Sequence, residues 1–180
     1  MALTEEQIDL LEHDTLWQFM LNVECDSGLL EKTLKGHLII EELITAILSS
    51  IFTDEKKFIS ARLSFAQKYK LAFAVESIHF PEHMFGLLKT LNDMRNQFSH
   101  NFEPTNIDEN LRKFGCQLPN KVFIRGKLIE VERNFELVES EDPNEEFYLR
   151  KRLAKTFIVG MRWLVSELMM VKESLSTKTT

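Results

Sequence analysis

The chain has 180 residues, of which 44% are hydrophobic and 28% are charged, so it is long and apolar enough for one globular domain. Its net charge of −6 argues against a protein that coats nucleic acid by bulk electrostatics, although it allows a local basic cleft. Cys25 and Cys116 form no C-x-x-C pair, so neither a zinc site nor a disulfide framework is expected. The acidic start without a secretory pattern, and the absence of an apolar run near roughly 20 residues, predict a cytoplasmic protein without a membrane segment.

The first predicted elements are helices, because only 6 glycines and 4 prolines interrupt the chain. Thr4 and Gln7 form a capping-box pattern, which predicts a helix from about residue 5. A second helix, mostly buried, is predicted over residues 29–52, and its apolar residues recur with the helical period: Ile40, Leu43, Ile44, Ile47 and Ile51. A charged connection leads to a third helix, for which Ser60 or Ser64 is the candidate cap.

The fourth predicted helix follows Pro81, which suits a first helical turn. Its apolar stripe has the i, i+3, i+4, i+7 pattern: Met84, Leu87, Leu88, Leu91, Met94 and Phe98. A short helix is predicted after Pro104, with Thr105 or Asn106 as its cap and Gly115 as its stop.

Residues 116–140 break the helical pattern, and they form either a small hairpin around Arg125-Gly126 or an irregular arm. A last long helix is predicted over residues 143–175, and residues 176–180 are expected to be a flexible tail. The predicted fold class is therefore all-α. We expect one domain over all 180 residues, an antiparallel helical bundle with an insertion before its last long helix.

The fourth predicted helix ends in the sequence RNQFSH, residues 95–100, whose polar groups suit RNA chemistry. Arg95 offers a permanently charged fork for a phosphate, and His100 can exchange protons near neutral pH. Asn96 can orient either partner by hydrogen bonding. No metal or other cofactor is required for this route, and none is predicted.

Two features of this motif leave its role open. Residues five apart on a helix project about 140° apart, so Arg95 and His100 converge only if the helix loosens near Ser99 or if two chains pair. The structural interpretation is simple helix termination, in which His100 favours the helix dipole and Arg95 pairs with a carboxylate such as that of Asp93 or Glu103.

The same six residues fit the R-x4-H motif, with Asn after the Arg, of the HEPN superfamily, and the order of long helices is similar to the layout of that family. The resemblance implies a HEPN-like bundle that dimerises and cleaves RNA without a metal. It implies Arg95, Asn96 and His100 as the active site, and a role in a toxin–antitoxin or phage-defence system. Its expected partners are RNA, a second copy and an antitoxin or regulatory protein. The layout also resembles the mannitol operon repressor family, which implies the alternative of a non-catalytic regulator that binds a protein or nucleotide.

Three further side chains are candidates for supporting roles. Glu41 and Glu42 interrupt an apolar helix, so one of them is a candidate to face Arg95 and hold its guanidinium. The alternative is a solvated helix edge, since carboxylates are usually exposed. Lys68 is a candidate for extending a basic floor for RNA, and the alternative is a lysine that snorkels along a helix surface.

Overall fold

The computed structural model describes residues 28–100, 106–124, 127–131 and 145–177. These residues form six helices and one two-stranded sheet. In chain order they are α1 (Leu29–Ser49), α2 (Glu55–Ser60), α3 (Phe65–Ala74), α4 (Met84–His100), α5 (Ile107–Gln117), β1 (Lys121–Ile124), β2 (Lys127–Glu130) and α6 (Glu145–Ser176). The helix predicted from residue 5, together with Cys25 and the Arg125-Gly126 turn, lies outside the described residues. None of the helices in the described part is both long and apolar enough to span a membrane.

The core forms around α1, which packs against α3, α4 and α6. Apolar residues at the helical period line its inner face and are fully buried: Ile40, Ile44, Ile47 and Leu48. The predicted stripe of α4 is equally buried up to Met94, whereas Phe98 is half-buried. Because the apolar stripe of α4 faces the core, the orientation of α4 about its own axis is fixed. This orientation decides which of its polar residues face solvent.

Side-chain contacts set the direction of the helices around α4. Asn110 Nδ2 donates to Gln97 Oε1 at 2.9 Å, and Gln117 Nε2 donates to Thr90 Oγ1 at 3.1 Å, so α5 runs antiparallel to α4. Arg150 of α6 contacts Asp108 early in α5, and the ring of Phe157 lies 4.9 Å from that of Phe114 further along, so α6 runs parallel to α5. The C-terminal end of α4 therefore lies at the end of the bundle where α5 and α6 begin.

The start of α3 shows which of the two candidate caps is used. Ser64 accepts a hydrogen bond from Gln67 N at 3.4 Å, and Gln67 Oε1 accepts one from Ser64 N at 2.9 Å, which is a complete capping box. We expect Ser64→Ala to lower the free energy of unfolding by about 1 kcal/mol in urea denaturation, because a backbone donor loses its acceptor. Ser60→Ala is the matched control, since Ser60 ends α2 at an exposed position. Equal losses in the two variants would contradict this role of Ser64.

The insertion before α6 contains the hairpin rather than an irregular arm. β1 and β2 are antiparallel, with Val122 opposite Ile129 and Phe123 opposite Leu128. Val122 and the other inward residue of β1, Ile124, are buried against the bundle, whereas Phe123 and Leu128 are exposed on the outer side. Of the predicted insertion, residues 116 and 117 belong to α5, residues 121–124 and 127–130 form the strands, and residues 132–140 lie outside the described residues.

Several predicted boundaries were wrong. The charged connection after α1 contains α2, which the pattern did not reveal because it is six residues long and buries none of them. Gly115 does not stop α5 but lies inside it, buried against the bundle. The fourth predicted helix starts at Met84 rather than at Pro81, which lies in a preceding turn. Ser176 belongs to α6 and not to a tail.

Candidate functional site

The RNQFSH motif forms the last turns of α4, with the side chains of Arg95 and His100 in solvent. Arg95 and His100 are exposed, and Asn96 is half-buried. Arg95 Nη1 donates to Asn96 Oδ1 at 3.2 Å, so the asparagine orients the guanidinium. Ser99 Oγ donates to the Arg95 carbonyl at 2.9 Å, four residues back, and α4 stays helical to His100. The structure therefore does not show the loosening near Ser99, and on this helix Arg95 and His100 project about 140° apart.

Arg95 makes no ion pair with a carboxylate of the described residues, so the predicted alternative partner Asp93 does not hold it. The other alternative, Glu103, lies outside the described residues. Close by, Asp108 at the start of α5 pairs with Arg150 of α6 at 3.1 Å. The exposed guanidinium of Arg95 thus keeps its capacity to bind an anion at this end of the bundle.

The predicted supporting residues lie in a different arrangement from the one expected. Glu41 Oε1 accepts a hydrogen bond from Lys68 Nζ at 2.7 Å, so the carboxylate of Glu41 pairs with α3 and not with Arg95. Glu42 is exposed, which agrees with a solvated helix edge. Because Lys68 is partly buried and neutralised by Glu41, it does not supply an open basic floor for RNA. These three side chains lie on α1 and α3, and all of them line one groove.

That groove, which we call the α1–α2 groove, lies between α1, α2 and the start of α3 and has a volume of about 520 Å³. Its lining is formed by Leu38, Glu41, Glu42, Thr45, Ala46, Ser49, Glu55, Ile59 and Lys68. Arg95, Asn96 and His100 are not part of it. The candidate residues therefore fall into two places, the end of α4 and this groove.

His37, which the sequence did not single out, lies on α1 beside Glu41 of the α1–α2 groove. Its side chain is 4% exposed, with the ring centroid 4.2 Å from that of Phe65 and Nδ1 3.9 Å from Glu41 Oε2. Its Nε2 is buried without a hydrogen-bond partner. Burial lowers the pKa of His37 to about 4; Glu41 opposes this shift, whereas the charges of Arg95 and Lys68 add to it. The helix that carries His37, α1, packs against α4. The available signal was the i, i+4 spacing of His37 and Glu41 on a largely buried helix.

The depressed pKa of His37 predicts a loss of stability in mild acid. In the unfolded chain the imidazole has a pKa of 6.5, so the unfolded state binds a proton first as the pH falls, and stability declines from about pH 6.5 down to about 4. We expect His37→Gln to remove about 2 kcal/mol of the difference in free energy of unfolding between pH 7 and pH 5, measured by urea denaturation. His79→Gln, at an exposed position, should keep the wild-type difference. An unchanged difference in His37→Gln would contradict the assignment.

No group of three or more His, Cys, Asp or Glu side chains among the described residues is placed to hold a metal ion. Comparison with protein-family models, with curated proteins and with solved structures found no match. The HEPN resemblance therefore stays a prediction that depends on the RNQFSH motif and on the order of the helices.

Proposed function

We propose that this protein is a HEPN-like, metal-independent RNA endonuclease that acts in the cytoplasm as a toxin or defence component. Arg95, Asn96 and His100 of two paired chains would form the active site. The observation that carries this proposal is the exposure of both Arg95 and His100 at one helix end, where Arg95 has no carboxylate partner among the described residues. A guanidinium held by Asn96 and left open to solvent is suited to bind a phosphate.

The chemistry assigned to these groups is transfer of a phosphodiester to the neighbouring ribose hydroxyl. His100 of one chain, as the neutral imidazole, takes the proton of the 2′-hydroxyl while the 2′-oxygen attacks phosphorus. His100 of the other chain, as imidazolium, gives a proton to the departing 5′-oxygen. Arg95 stabilises the charge that builds up on the phosphorus oxygens. The products are a 2′,3′-cyclic phosphate and a 5′-hydroxyl, so protons and bonds balance without a further reactant.

The geometry of α4 is the reason why the proposed active site needs two chains. Because the helix is continuous to His100, Arg95 and His100 of one chain point in different directions. Two α4 ends placed side by side allow the imidazole of one chain and the guanidinium of the other to face a common phosphate. The site between the two α4 ends would be positively charged, although the formal net charge of each chain is −6.

The alternative is a non-catalytic regulator of the kind implied by the mannitol operon repressor resemblance, which uses the bundle to bind a protein or nucleotide. It would be favoured by an Arg95 buried in an intramolecular ion pair. Arg95 is instead exposed, and no carboxylate of the described residues pairs with it, which supports the nuclease.

Incubation of the purified protein with a mixed RNA pool in excess EDTA tests the proposal. We expect cleavage, with fragments that end in a 2′,3′-cyclic phosphate and begin with a 5′-hydroxyl. Absence of cleavage, or fragments with 3′-hydroxyl ends, would overturn the nuclease in favour of the regulator. A partner or nucleotide that binds without RNA cleavage would point the same way.

A further inference from the structure

The α1–α2 groove has the surface of a docking site for a helix. Two of its large aliphatic side chains, Leu38 and Ile59, are 58% and 56% exposed, although such side chains are normally buried. Small residues on α1, such as Ala46 and Ser49, form part of its lining, so a helix can come close to the α1 backbone. From Leu38 to Ser49 the groove follows about 16 Å of α1, which is three turns.

The charge of the groove indicates what it can bind. Its lining contains three carboxylates and one ammonium group, and Glu41 and Lys68 pair with each other. Glu42 and Glu55 remain exposed, without an ion pair to any side chain of the described residues. Apolar side chains beside uncompensated carboxylates fit a helix that presents an apolar group next to lysines or arginines. Residues 1–27 contain no Lys or Arg, so they do not match this requirement.

The N-terminal part of α6 has the complementary character. Tyr148 is 56% exposed, and Lys151 and Lys155 are exposed as well. At i, i+3 and i+7 these three residues lie along one side of the helix over about 10 Å, which is shorter than the groove. Neither lysine pairs with a carboxylate within the described part of the chain. We call these three residues the basic stripe.

The basic stripe lies near the C-terminal end of α4. It begins just before Arg150, which pairs with Asp108 at the start of α5 beside that end. The groove runs along α1, which packs against α4. Contacts made through the stripes of two copies would therefore bring both α4 ends to the interface.

We propose that two copies of this chain dock reciprocally, with the basic stripe of each copy in the α1–α2 groove of the other. Each copy uses both surfaces once, so a two-fold arrangement closes as a dimer and does not extend into a filament. Tyr148 contacts Leu38 and Ile59, and the lysines approach Glu42 and Glu55. The role of this interface in completing an active site rests on the proposed nuclease function. The experiment that tests the interface measures only dimerisation.

Sedimentation velocity over a range of concentrations tests the interface. The wild type is expected to be a dimer, and Glu42→Lys/Glu55→Lys should raise the dimer dissociation constant roughly 100-fold, because lysines then face lysines in both contacts. Glu76→Lys/Glu82→Lys is the matched control, since it changes the net charge equally at exposed positions outside both surfaces. Circular dichroism verifies that each variant is folded.

A mixing experiment with the opposite variant completes the test. Lys151→Glu/Lys155→Glu should be monomeric alone, but it should form a heterodimer with Glu42→Lys/Glu55→Lys, because all four charge pairs are then attractive, two with reversed charges in one contact and two with the wild-type charges in the other. A monomeric wild type, a groove variant that dimerises as the wild type does, or a mixture that stays monomeric would overturn the proposal. A dimer that behaves as expected but cleaves no RNA would support the interface and remove the nuclease.

Discussion

Replacement of His100 by alanine is expected to lower the rate of RNA cleavage by about 100- to 10,000-fold, which is the usual contribution of a group that transfers protons in the transition state. His100 is exposed at the end of α4, so its loss should leave the fold intact. Single-turnover cleavage of a fluorescent RNA in EDTA measures this rate. Arg95→Lys should fall between wild type and His100→Ala, because lysine keeps the charge but loses the planar fork.

His79→Ala is the matched control for this experiment, since it removes an exposed imidazole from the connection between α3 and α4. It should cleave RNA at the wild-type rate. If His100→Ala, like His79→Ala, cleaved RNA at the wild-type rate, His100 would have no catalytic role, and the motif would be only the polar end of a helix. Loss of cleavage in both variants would instead indicate a general effect of histidine removal on RNA binding.

Phe114→Ala is expected to lower the free energy of unfolding by about 3 to 5 kcal/mol, the largest effect on stability that we predict. The Phe114 ring is fully buried between α5 and α6, where it contacts the edge of Phe157 at a centroid distance of 4.9 Å. It also lies against Gly160, which has no side chain that could fill the space. Urea denaturation measures the loss.

Phe123→Ala provides the comparison, because Phe123 is 56% exposed on the outer side of the hairpin. The same number of atoms is removed there, and we expect less than about 1 kcal/mol of destabilisation, since little apolar surface returns to water. Similar losses at the two positions would mean that the α5–α6 contact does not stabilise the fold in the way described.

The helices with a regular apolar stripe were predictable from the sequence, and shorter or locally determined features were less so. The stripe on α4 identified its buried face through Met94, and the 3.6-residue period did the same for α1. α2 was missed because it has only six residues, none of them fully buried, and so shows no such period. Gly115 was wrongly predicted to end α5. Glycine favours helix ends locally, but packing of α5 against the bundle keeps this glycine inside the helix.

For the candidate site, the sequence identified side chains but not their neighbours. Arg95 and Asn96 are adjacent in the chain, so their hydrogen bond needed no tertiary information. The pairing of Glu41 with Lys68, by contrast, joins residues on two helices, and only the packing of α3 on α1 decides it. The same packing buries His37 against Phe65 and lowers its pKa, which no local pattern indicates.

By itself, the sequence determined that the protein is mostly helical, that a non-helical segment precedes the last long helix, and that α4 ends in Arg95, Asn96 and His100. These features follow from periodicity and from residue type, which act within one element. The tertiary structure alone decided that the carboxylate of Glu41 pairs with Lys68 of α3 and that Arg95 stays exposed. It also decided that Glu42 and Glu55 line one groove, because such relations depend on how separate helices pack and not on the order of residues within any of them.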